Sequence, residues 1–263
     1  TGKLYVAKLA ADGTGQWIEL AMSNALIQAY SAYKFADLAD VLVNARLAAD
    51  AVGATKMDRP EWCSVNPANG EIYYTLTNNS NRTVNPSGSS QLAPDSANPR
   101  AYTDMKGGSA QNGNPNGHII RFKEGTGAAA ATSFTWDVYL FGAESGADAS
   151  KINLSNLTAD QDFSSPDGLA FSPYTGICWI QTDDGAYTDV TNCMMLAAIP
   201  GNVGDGAKST LNYATAAGGN LAVDTFIGKK PTADTLKRFL VGPVGSEITG
   251  ISETPDGKTM FIN

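Results

Sequence analysis

Apolar and polar residues alternate along most of this chain in short runs separated by Gly, Pro, Asn and Asp, the pattern of strands joined by tight turns. Residues 4–9 and 16–20 are two such runs, linked by Ala11-Asp-Gly-Thr-Gly15, a hairpin signal. Residues 31–54 break the alternation. Phe35, Leu38, Ala39, Leu42, Val43, Arg46, Leu47 and Ala49 follow helical spacing and Gly53 marks an end, which predicts a helical insertion. Strand patterns resume at 62–65, 71–77, 117–122, 132–141, 193–199 and 236–241. Between them lie two polar or small-residue stretches, a long loop at about 78–115 and a Gly/Ala-rich linker at 201–230. A loop as long as 78–115 inside a compact domain is uncommon, and is usually functional or disordered.

Three segments share one plan. Glu61 opens Glu-Trp-Cys-Ser-Val-Asn-Pro67-Ala-Asn-Gly70, Asp167 opens Asp-Gly-Leu-Ala-Phe-Ser-Pro173-Tyr-Thr-Gly176, and Glu247 heads a copy stretched by two residues that reaches Pro255-Asp-Gly257. The first two align without a gap, and Pro60 and Pro166 precede their acids. Strand, Pro/Gly turn and strand, repeated, is the signature of a β-propeller blade. The expected fold is therefore all-β: a partial propeller of about three blades' worth, with the helical insertion over the blade tops and the N- and C-terminal strand pairs available to share a blade. Because propellers close with about four to eight blades, and because both chain ends fall inside strand patterns, the sequence reads as part of a larger protein.

Composition narrows the function. Of 263 residues 43% are hydrophobic, with 27 Gly and 12 Pro, as suits a folded, turn-rich chain. The net charge of −8 argues against a nucleic-acid partner; it serves either solubility or metal loading. No apolar run is long enough for a membrane span. Cys63, Cys178 and Cys193 make no zinc or redox motif, and Cys63 and Cys178 read as buried, inert thiols.

If each repeat occupies the same place in its blade, Glu61, Asp167 and Glu247 converge near one axis, where their mutual repulsion calls for a hard cation. Asn78, Asn79, Asp183 and Asp184, at the ends of the following strands, are further oxygen donors, or simply turn formers. Arg59 either binds a phosphate or neutralises neighbouring acids. His118, the single histidine, either faces a site or covers one. With no Gly-x-Ser-x-Gly element, metal-assisted chemistry is favoured over a catalytic triad.

Met57-Asp-Arg-Pro-Glu-Trp62 followed by Thr75-Leu-Thr-Asn-Asn79 resembles the PhoX-type alkaline phosphatases, the DUF839 family. The same resemblance runs through Ala48-Ala-Asp-Ala-Val-Gly-Ala-Thr55, Asn116-Gly-His-Ile-Ile-Arg121, Phe163-Ser-Ser-Pro-Asp-Gly-Leu169, Trp179-Ile-Gln-Thr-Asp183 and Gly242-Pro-Val-Gly-Ser-Glu-Ile-Thr-Gly250, in family order. It implies a periplasmic or secreted bacterial enzyme, exported by the twin-arginine route, that hydrolyses phosphate monoesters at a centre of Ca2+ and Fe3+. Glu61, Asp167, Glu247, Asp183 and Asn78 would be metal ligands; Arg59 and His118 would lie near the substrate. The chain departs from the family in lacking its N-terminal half, with the Thr-Cys-Glu-Glu-like segment whose Cys binds iron. The competing expectation is a non-catalytic, calcium-stabilised propeller module.

Overall fold

The computed structural model describes residues 2–125, 130–183 and 189–263. The chain is mostly β, as expected. Strands β1 (Tyr5–Leu9) and β2 (Thr14–Glu19) form the predicted hairpin. Three short helices follow, α1 (Ala25–Gln28), α2 (Leu38–Val43) and α3 (Ala45–Val52). The predicted helical region is thus divided at Asn44, whose side-chain amide donates to Asp40 Oδ1 at 2.7 Å and to the Asp40 carbonyl at 3.2 Å, competing with the helix ladder. Asp37 caps α2 by accepting from the Asp40 amide, and Gly53 ends α3 in the left-handed region at φ 68°. Ile27, Val41, Ala48 and Val52 close over Val6 and Ile18 of the hairpin.

The first repeat supplies β3 (Pro60–Val65) and β4 (Ile72–Leu76), and the long polar stretch contains a hairpin, β5 (Tyr102–Lys106) and β6 (Ser109–Gly113). With β7 (His118–Glu124) and β8 (Ser133–Phe141) the order β3-β4-β7-β8 is an antiparallel up-and-down sheet. The second repeat builds another from β9 (Pro166–Phe171), β10 (Cys178–Thr182), β11 (Met194–Ala198) and, after β12 (Ala207–Ala214) and β13 (Asn220–Ile227), β14 (Leu236–Val241). A third begins with β15 (Ile251–Glu253) and β16 (Met260–Ile262). Tyr73, Ile119 and Leu140 of the first sheet pack on Leu169, Ile180, Met194 and Leu196 of the second, and β3 runs beside β9. Trp179 and Met195 of the second sheet pack on Ile248, Ile251 and Met260.

Three expectations change. The N-terminal pair does not share a sheet with the C-terminal pair: β2 adds to the outer edge of the first sheet, where Gly15 faces Phe134. A Cβ at Gly15 would lie 2.1 Å from the Phe134 ring, so only glycine lets the strand approach. The Gly/Ala-rich linker is a hairpin, β12–β13, whose alternate residues Leu211, Tyr213 and Val223 cover the outer face of the first sheet beside Phe122 and Trp136. Cys63 is exposed on β3, whereas Cys178 and Cys193 are buried.

The stretch 78–115 is ordered by buried polar bonds rather than apolar packing. Arg82 donates through Nε (3.0 Å) and Nη2 (2.7 Å) to Asp58 Oδ1, and the Asp58 carboxylate also accepts from Asn79 and Asn114. Arg100, fully buried, donates to the carbonyls of Gly117, Gly142 and Ile152 and lies over the rings of Tyr102 and Phe141.

Candidate metal centre and phosphate-binding arginine

One backbone device is built twice. Arg59 and Ser165 both adopt positive φ, 54° and 49°, and each is followed by proline and then an acid. Their carbonyls accept from Thr77 N and Asp183 N, both at 3.0 Å, which anchors the start of each first strand to the end of the second. Immediately afterwards the register slips. Pro60 faces Leu76 but Cys63 faces Tyr74; Thr182 faces Pro166 but Ile180 faces Leu169. Each first strand therefore carries one extra residue, a bulge containing Glu61 in one sheet and Asp167 in the other. Bulges re-aim side chains and gather beside functional sites, and here they turn two carboxylates away from the pleat at equivalent places.

Asp167, Asp183 and Glu247 each offer a carboxylate oxygen, and these oxygens lie within 4.8 Å of one another. Asp167 comes from the bulge of β9, Asp183 from the residue after β10, and Glu247 from the loop before β15. Glu61 joins them through Arg59, whose Nε donates to Glu61 at 2.7 Å and whose Nη2 donates to Asp183 at 3.0 Å. Arg59 remains about half exposed, at 47%. Burial, followed by the charges of Glu61, Asp183 and Glu247, pushes the Asp167 carboxyl up from its ordinary 3.8 to about 6, against the opposing pull of Arg59. Burial and then Asp183 raise Glu247 as well. Arg59 is lowered by burial but raised by its two carboxylate partners, and the net direction is upward.

Of the other expected residues, Asn79 and His118 are engaged elsewhere. The position equivalent to Asp183 is Thr77, because both donate their amide to the positive-φ residue of their own repeat. Asn78 stands one residue further along, half-buried, with no side-chain hydrogen bond among the described residues. Asn79 is engaged with Asp58 at 2.8 Å. Asp184 lies outside the described residues. His118 is fully buried, with Nε2 2.8 Å from the Ala97 carbonyl and Nδ1 3.1 Å from the Asn114 amide. Burial pushes it down to about 4, so it stays neutral. The ring spans the gap between the 78–115 stretch and the first sheet.

The model of the family described as alkaline phosphatase PhoX matches residues 1–263. The chain belongs to the PhoX alkaline phosphatase family. Among solved structures, the PhoX of Pseudomonas fluorescens in complex with vanadate, a transition-state analogue, is similar at 35% identity with a TM-score of 0.72. That match covers 99% of this chain and 39% of the Pseudomonas chain, so this chain spans well under half the length of that relative. No curated protein matches it.

Two contributors were missed in the sequence. Thr75 and Thr77, both fully buried, donate to the carbonyls of Asp167 (2.6 Å) and Pro166 (2.9 Å), tying the two sheets at the acids. Thr75 lies opposite the bulge of β3 and Thr77 opposite Arg59, but threonine in a strand reads as an ordinary β-former.

Proposed function

We propose that this chain is the cation-holding portion of a metal-dependent phosphomonoesterase built as a β-propeller, contributing two blades and the beginning of a third. The observation that carries the reading is the convergence of Asp167, Asp183 and Glu247 beside Arg59. Two four-stranded up-and-down sheets meeting along their first strands support the propeller.

An all-carboxylate donor set suits a hard cation, and calcium takes such oxygens with flexible geometry. Burial first and the neighbouring acids second raise Asp167 and Glu247 even with Arg59 opposing, so a cation among these oxygens would favour their ionised forms, and the residues fit calcium. Ferric iron rests on the family resemblance; these three side chains offer neither thiolate nor imidazole to select it. Calcium held here would polarise a phosphoryl oxygen. Arg59 supplies a directed guanidinium: two of its donors are fixed by Glu61 and Asp183, and Nη1 has no partner among the described residues, leaving an N–H for a phosphate oxygen. Glu61 and Asp183 thus hold both the cation's neighbourhood and the arginine's orientation. His118, neutral and bonded at both nitrogens, belongs to the framework in this reading. Placement in the periplasm or outside the cell is part of the same proposal, since an open carboxylate site suits weak calcium binding of the kind extracellular modules show, with dissociation constants of about 10⁻⁴–10⁻³ M.

The protein in its full natural length is expected to bind calcium and to hydrolyse an aryl phosphate monoester, with turnover lost on chelation and restored by calcium. Calcium binding without turnover would favour the non-catalytic module, a reading that the 39% coverage of the Pseudomonas chain keeps in view. Loss of neither on chelation would remove the metal from the proposal.

A pH dependence follows from Asp167. Its carboxyl must be ionised to hold a cation, and its pKa is about 6, so binding below that value must expel a proton. Calcium affinity is expected to rise steeply between about pH 5 and pH 7 and to level off above. Calorimetry in buffers of different ionisation enthalpy reads the proton release directly; a flat affinity across that range would contradict the assignment.

A further inference from the structure

We infer that Thr75 is a positioning residue for the cation site, and that Gln181 repeats its role one sheet further on. The inference rests on the metal reading above and concerns how the spacing between the acids is set.

Thr75 lies on β4 opposite the bulge of β3. Its Oγ1 accepts from the Trp62 amide at 2.9 Å and stands 2.6 Å from the Asp167 carbonyl. A hydroxyl has one proton to give and lone pairs to accept. The shorter contact takes that proton, since the alternative acceptor, the Trp62 carbonyl, is 3.4 Å away. A single side-chain oxygen therefore links the residue after Glu61 to the backbone of Asp167. The Trp62 amide, displaced from the strand ladder by the bulge, finds its partner there. The bond also crosses between the sheets, beside that of Thr77 to the Pro166 carbonyl, and it fixes a distance where packing fixes only proximity.

The aligned position in the second sheet is Gln181, also opposite a bulge, and its Nε2 donates to the Gly250 carbonyl at 2.9 Å, just after Glu247 in the chain. Both residues are buried. The change from hydroxyl to a longer amide has a counterpart across the strand. Where the first sheet has Trp62, the second has Gly168, and a Cβ there would lie 2.4 Å from Gln181 Oε1. Glycine makes room for the longer arm. The two ties set, in turn, the spacing of Glu61 to Asp167 and of Asp167 to Glu247.

The test compares Thr75→Val, which keeps the shape and removes the hydroxyl, with Thr75→Ser, which keeps the hydroxyl, in the protein at its full natural length. Calcium affinity is measured by calorimetry well below the unfolding temperature. Amide hydrogen exchange is followed without calcium. Removing a group that orients ligands costs about 10–100-fold in metal affinity, so Thr75→Val is expected to weaken calcium binding at least tenfold while Thr75→Ser stays within about threefold. Exchange at Trp62 and across residues 167–168 is expected to quicken in the valine variant alone. Wild-type affinity in Thr75→Val overturns the inference, even if that variant melts earlier, because a merely structural role lowers stability and leaves the folded site intact. A wild type that takes no calcium overturns the metal reading instead. The positioning claim then stands on the exchange data, where faster exchange at both places supports it and unchanged exchange overturns it.

Discussion

Asp167→Asn is expected to lower calcium affinity by about 100-fold or more, beyond the effect of losing an orienting partner, and to take phosphatase turnover of the full natural-length protein to background. Asp167 is the acid on which the others converge: Glu61, Asp183 and Glu247 all act on its carboxyl. The amide keeps the size and removes the charge. The stability change has the opposite sign. A carboxyl whose folded pKa is raised from 3.8 to about 6 favours the folded state only while protonated. Its ionisation costs nothing below about pH 4, costs progressively more between about 4 and 6, and carries its full penalty above. Without calcium, the wild type should therefore lose stability across that window and the Asn variant should not, so that above pH 6 the variant is at least as stable. Thermal unfolding with chelator and calcium titration on the same samples read both effects. A variant with unchanged calcium affinity and unchanged rate would remove Asp167 from the site.

The second large effect lies outside the cluster. Arg82→Met is expected to cost about 3–5 kcal/mol, the range for removing one partner of a buried ion pair, and to lower the unfolding midpoint by about 10 °C for a chain of this size. Asp58 is fully buried and would keep only its neutral partners, Asn79 and Asn114. The Ala93 carbonyl would lose the Arg82 donor as well, and the Lys56 carbonyl would keep only that of Asn98. Asp58 directly precedes Arg59, so the slackening should reach the guanidinium and raise KM for a phosphate monoester in the molecules that remain folded. Adding Asp58→Asn should recover part of the stability, because the uncompensated charge is then gone. Urea unfolding of the two variants decides it: a loss under about 1 kcal/mol in Arg82→Met would show the pair to be solvated.

This network also shows why the 78–115 stretch was hard to read. Asn, Ser and Pro in a row carry no hydrophobic period, and the partners that order them, Asp58, Gly142 and Ile152, are far away in sequence. The β12–β13 hairpin was missed for a related reason. Its Gly/Ala content is that of a linker, and the few residues that matter, Leu211, Tyr213 and Val223, become apolar anchors only once the face of Phe122 and Trp136 is there to meet them.

What the sequence determined by itself was local and periodic: strand alternation, Pro/Gly turns, and the equivalence of Glu61 with Asp167, which a gapless repeat makes visible because the same backbone device recurs. It also placed α2 and α3, whose apolar face and caps lie within one segment, but not α1, which precedes the predicted region. Only the tertiary structure decided which acids meet. Asp183 comes beside Asp167 because the Ser165 carbonyl accepts the Asp183 amide and so holds the end of β10 at the start of β9. Thr75, Gln181 and the buried His118 are likewise roles conferred by neighbours, since a hydroxyl, an amide or an imidazole acquires its function from whichever backbone group the fold brings within hydrogen-bond distance.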